Sequence, residues 1–116
     1  MKEIIEDAIR TRKQLVFEGK DYNRIVCPHV FGTKNGQWHL LCWQINDESE
    51  KGFEEGAQRW RCFDLQDISN LHSQVGAWHR GWTAGLKPQS CVERITASVD
   101  PAYAAEVRST FQTRIR

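Results

Sequence analysis

Arg24-Ile25-Val26-Cys27-Pro28-His29-Val30-Phe31, Asn35-Gly36 and Trp38-His39-Leu40-Leu41-Cys42-Trp43 together decide the fold. Asn and Gly both accept the positive φ values that a type I′ turn imposes on its two central residues, and β-rich runs flank them on either side. The stretch therefore predicts an antiparallel hairpin. Its second arm is apolar on both faces, as expected of a central strand covered on two sides.

On the N-terminal side, Leu15 and Phe17 alternate with Val16 and Glu18 in a short strand, and Gly19-Lys20-Asp21 reads as the turn that joins it to the hairpin. Before it, Ile4, Ile5, Ala8 and Ile9 recur at helical spacing. Lys2, Glu3, Glu6, Asp7 and Arg10 take the other side, so residues 2 to about 12 are an amphipathic helix.

On the C-terminal side, residues 46–57 are acidic and contain Gly52 and Gly56. Asp47, Glu48, Glu50, Glu54 and Glu55 against Lys51 give this solvated connection a charge of −4, which repels phosphate. The run Arg59 to Leu65 is a further strand. Period two puts Arg59, Arg61, Phe63 and Leu65 on one face and Trp60, Cys62 and Asp64 on the other, so Arg61 shares a face with core residues. Ile68 and Leu71 continue the sheet, and residues 76–88 are irregular. Ile95, Ala97 and Val99 alternate as a late strand, and Asp100-Pro101 starts a final helix through Tyr103, Val107, Phe111 and Ile115.

The 116 residues are enough for one modest core, and 40% hydrophobic with 27% charged residues are ordinary globular values. A net charge of +1 excludes a global field that would gather polyanions, so any nucleic-acid binding is local. Acids in the first seven residues are unlike a signal peptide, and no long apolar run follows; the expectation is a cytoplasmic protein that does not enter a membrane. In that setting Cys27, Cys42, Cys62 and Cys91, which form no Cys-x-x-Cys pair, are expected to be reduced and to act as small core residues.

The order of elements, together with Cys27-Pro28-His29, Trp38-His39-Leu40, Arg61-Cys62-Phe63-Asp64-Leu65-Gln66-Asp67-Ile68 and a leading Ala8-Ile9-Arg10 helix, resembles the WYL domain. The resemblance covers residues 1–72, which it makes a barrel domain; residues 73–116 are then an extension of loop, strand and helix, packed on the same domain or in a dimer interface. It implies an Sm-like, SH3-type β-barrel of about five strands, found mostly in bacterial transcription regulators behind a winged helix. There the domain senses nucleotides or single-stranded nucleic acid. Only about a dozen residues precede the first strand, so no winged helix is expected here. The chain departs from the family in having His39 at the tyrosine of its name and Asp64 and Asp67 where arginines are frequent.

Residues and resemblance together give a candidate ligand site of Arg61, His29, Phe63, His39 and Arg24. A guanidinium on a half-buried strand face needs a partner and suits a phosphate or carboxylate bidentately. An internal pair with Asp64, Asp67 or Glu18 would serve Arg61 equally. Trp78, Arg80 and Trp82, interleaved with His79, could stack on unpaired bases or plug one end of the barrel. Trp38, Trp43 and Trp60 belong to the core. Neither Cys27-x-His29 nor His39-x-x-Cys42 has zinc-knuckle spacing, so no metal is expected and no cofactor is implied. No nucleophile elbow or phosphate loop is present, and the chain reads as a binding module and not an enzyme. The competing expectation is a protein-interaction domain with a worn ligand site, homodimeric through the late strand and final helix or bound to a regulatory protein partner.

Overall fold

The computed structural model describes residues 1–46, 59–79 and 89–99. The hairpin forms as its turn chemistry requires. Strands β2 (Tyr22–Lys34) and β3 (Gln37–Gln44) pair antiparallel from Val26↔Gln44 to Lys34↔Gln37, with Asn35 at φ 52° and Gly36 at φ 79°. A second two-residue turn joins β1 (Gln14–Gly19) to β2. There Lys20 and Asp21 take φ values of 52° and 77°, a conformation that usually falls to Asn or Gly.

Strand β4 (Trp60–Asp64) pairs with β3, a 3-10 turn at Leu65–Asp67 follows, and β5 (Ile68–Gln74) pairs with β1. The late strand β6 (Arg94–Ser98) pairs with β2. The mainly-β architecture with a leading helix is thus the one expected, but the sheet is open. Its path runs β4-β3-β2-β1-β5, with β6 alongside β2, so the two end strands have separate partners and do not close a barrel. Strand β2 is long enough to serve three neighbours: β1 takes residues 22–26, β6 takes residues 30–33 on the same edge, and β3 runs along the other. Residue 72 lies inside β5, and the late strand is paired within its own chain. The final helix, the acidic connection, Arg80 and Trp82 lie outside the described residues.

Helix α1 (Lys2–Thr11) covers one face of the sheet. Ile5, Ala8 and Ile9 join Leu15, Phe17, Val26, Phe31, Leu40, Cys42, Phe63 and Ile68 in the main core, and each large side chain so buried contributes roughly 1.5–3 kcal/mol. The helix ends where Arg12 turns left-handed at φ 56° and the Lys13 N–H bonds back to the Ala8 carbonyl at 2.9 Å. On the opposite face Val30, Leu41, Cys91 and Val92 make a smaller cluster, with Trp60 and Ile95 against it.

The expectation of four reduced core cysteines is corrected. Cys62 and Cys91, with Cα atoms 5.7 Å apart, are joined in a disulfide that ties β4 to the segment before β6; Cys27 and Cys42 are free and buried. Sequence spacing could not show this, because the two residues are made neighbours by the shared partner chain of β2 and β3. Among the described residues no helix is long and apolar enough to cross a membrane.

Candidate functional site

The residues proposed from sequence as one ligand site lie on opposite faces of the sheet. Cross-strand partners share a face, and the register Cys42↔Arg61 and Leu40↔Phe63 puts Arg61 and Phe63 on the helix-covered side with the main core. Phe17↔Arg24 puts Arg24 there too. The other face carries Trp43↔Trp60, Leu41↔Cys62 and His39↔Asp64.

On the inner face two of the three candidates are tied into the core by packing and hydrogen bonds. Phe63 is 1% exposed and meets Phe17 edge-on, with ring centroids 5.1 Å apart. The Arg24 guanidinium lies 3.7 Å from the Tyr22 ring centroid and 5.1 Å from that of Phe63; its Nε donates to the Gly19 carbonyl and its Nη1 to Gln44 Oε1, both at 2.9 Å. Burial, with the positive charge of Arg61 beside it, holds the Arg24 pKa below its ordinary value. Arg61 itself is half-buried, and its Nη1 donates to the Trp60 carbonyl at 3.0 Å. Asp64, one of the acids weighed as its partner, faces His39 instead.

His29 lies on the outer face, as Cys27 does, at a β-bulge. The register of β2 against β3 shifts between Pro28 and Val30, which leaves His29 as the extra residue and moves Phe31 into the main core. Strict alternation would have put His29 and Phe31 on one face; the bulge separates them. His29 is 2% exposed, its Nδ1 bonds the Cys27 carbonyl at 2.8 Å, and its ring is enclosed by two indoles. Trp60 meets it edge-on at 4.8 Å and Trp78 stacks on it at 5.1 Å. Trp43 stands edge-on to Trp60 at 5.3 Å, and the Arg59 guanidinium lies 6.0 Å from the Trp43 ring. Trp60 and Trp78 remain half-exposed. Trp78 is held in place by its neighbours, since the Cys27 thiol and Gln14 Nε2 both donate to the Ala77 carbonyl and the His79 N–H donates to Cys27 Sγ. Trp78, read from sequence as a stacking residue or a plug, therefore stacks on a protein side chain and covers it.

Both free thiols are poor nucleophiles. Burial pushes the pKa values of Cys27 and Cys42 up, and the neighbouring cations do not offset this for Cys42. His39 belongs to neither group. Its Nδ1 bonds the Cys91 carbonyl at 2.8 Å and its Nε2 lies 3.6 Å from Asp64 Oδ2. An open cleft of about 580 Å³ lies elsewhere, between Glu18, Lys20, Asp21, Asn23, Asp67 and Ser69, where three carboxylates to one lysine disfavour an anion.

The aromatic face was legible only in part. Trp43 and Trp60 alternate with core residues as the strand period requires, whereas the meeting of Trp78 with His29 depends on a loop far along the chain. No protein-family model, no curated protein and no solved structure matches the chain.

Proposed function

We propose that the chain is a non-catalytic binding module that takes a nucleotide or a short single-stranded nucleic acid on its tryptophan-bearing outer face. The observation that carries this reading is the group of four rings, His29, Trp43, Trp60 and Trp78, assembled on one side of an open sheet with Trp60 and Trp78 half-exposed. Indole faces take any base, and stacking contributes about 1–3 kcal/mol per base. The Arg59 guanidinium, 6.0 Å from the Trp43 ring and donating to the Ile45 carbonyl at 2.8 Å, is a cation beside these rings for a phosphate. The suppressed ionisation of Cys27 and Cys42 favours binding over thiol catalysis. The WYL-like landmarks in the sequence support a sensing role of the same kind. In this reading Arg24, Arg61 and Phe63 belong to the inner face and do not touch the ligand, and the site is Trp60 and Trp78 with Arg59 beside them.

The test is tryptophan fluorescence of the full chain titrated with mono-, di- and cyclic nucleotides and with short single-stranded DNA and RNA at two salt concentrations. Saturable quenching that weakens with salt, and that falls in Trp78→Ala, is the expected result, because phosphate contacts release counterions. Absence of saturable binding across the whole panel overturns the reading.

A further inference from the structure

Three metal-type donors converge on the outer face at the β3–β4 pair, with a carboxylate beside one of them. His39 and Asp64 are register partners, Cys62 stands two residues before Asp64 on the same face of β4, and Cys91 arrives from the segment before β6. A ring nitrogen of His39 and the two sulfurs all lie within 4.8 Å of one another. The sequence spacings weighed for a metal involve Cys27, His29, His39 and Cys42; this group shares only His39 with them.

His39 is held in one tautomer. A carbonyl only accepts, so the 2.8 Å bond between Nδ1 and the Cys91 carbonyl puts the proton of the neutral ring on Nδ1 and the lone pair on Nε2. Nε2 then faces Asp64 Oδ2, another lone-pair atom, at 3.6 Å. The two lone-pair atoms do not bond each other directly, and a metal ion between them would be ligated by both. Imidazoles that bind metals are oriented in this way, with the far N–H fixed on a backbone carbonyl or carboxylate.

We propose that Cys62, Cys91 and His39, with Asp64 closing the fourth position, form a redox-gated site for a thiophilic divalent cation, zinc foremost. Two thiolates, an imidazole and a carboxylate are a tetrahedral donor set suited to zinc. With the disulfide formed the sulfurs are spent on each other and the site is shut. A dithiol reductant opens it: the S–S bond takes two electrons and two protons, the reductant leaves as its own disulfide, and two thiols stand beside His39. Zinc then binds both sulfurs without change of oxidation state, and the two thiol protons pass to solvent. Access is direct, because Cys62 is exposed and the His39 and Asp64 side chains are 20% and 30% exposed.

The test uses the full chain reduced with a phosphine, stripped with a chelator and titrated anaerobically with cobalt(II), then with zinc against a chromophoric competitor. The expected result is one cobalt per chain, with sulfur-to-cobalt charge-transfer absorption, intense tetrahedral d–d bands, and displacement by zinc. The oxidised chain, identical in sequence, should bind at least about tenfold more weakly. His39→Gln, which leaves both thiols in place, should lower zinc affinity by about 10–100-fold, and Asp64→Asn by about tenfold. A reduced chain without sulfur-to-cobalt absorption overturns the proposal. So does absorption that survives Cys62→Ser or that vanishes with Cys27→Ser, which would place the metal elsewhere.

Discussion

The imidazole of His29 lies 25° from parallel with the indole of Trp78, their centroids 5.1 Å apart, so that a histidine bulged out of β2 is roofed by a residue from the segment after β5. Trp78→Ala removes that roof. The expected loss of stability is about 1–3 kcal/mol, below the figure for a fully buried tryptophan because Trp78 keeps part of its surface in water. Urea denaturation followed by circular dichroism measures it. A midpoint equal to the parent's would mean that the stack contributes nothing.

Phe63 separates a ligand residue from a core residue. Phe63→Ala should cost about 3–5 kcal/mol, since the ring is 1% exposed and packs on Phe17 under the Arg24 guanidinium. Phe63→Leu should keep most of the stability and leave nucleotide titrations unchanged. A folded Phe63→Leu protein that no longer binds would return Phe63 to the ligand site.

Gly32 tests the pairing of β2 with β6. A Cβ at this position would stand 1.9 Å from the Arg94 carbonyl oxygen and 2.8 Å from Val92 Cγ1. The clash is with backbone, which cannot swing aside, so Gly32→Ala should destabilise by about 1–3 kcal/mol or more and loosen β6. Amide exchange of Ile95 and Ala97 reads this directly; unchanged protection would show that the strands separate at little cost.

Thiol ionisation gives the stability a pH dependence. Cys27 and Cys42 have folded pKa values above the ordinary 9.0 because burial penalises the thiolate. Both are protonated in folded and unfolded chains below that pH, and there their contribution is fully present. As pH rises past 9.0 the unfolded chain ionises first, so stability falls until the folded thiols ionise as well. Denaturation midpoints between pH 7 and 10.5 should decline at the alkaline end, and Cys42→Ala should flatten the decline. An identical slope in parent and variant would assign the effect to other groups. At neutral pH both thiols should resist a maleimide until the chain unfolds.

Much of the backbone plan was legible because it is local. Asn35-Gly36 made the central hairpin, Leu15 with Phe17 and Ile95 with Ala97 showed their strands, and the spacing of Ile5, Ala8 and Ile9 showed the helix. Alternation along β4 separated Phe63 from Trp60 correctly. It failed after His29, where one inserted residue reverses the parity of everything that follows; Pro28, a residue that strands admit mainly at edges and bulges, was the local signal of it.

The sequence by itself determined the elements, the turn that joins β2 to β3 and the apolar faces that must be buried, because each follows from torsional preference and spacing within a few residues. Only the tertiary structure decided which faces meet. It placed Arg61 opposite His29, kept β4 and β5 apart so that the sheet stays open, and brought Cys91 to Cys62 and His39. Those outcomes depend on contacts between residues distant in the chain, whose geometry exists only once the sheet has formed.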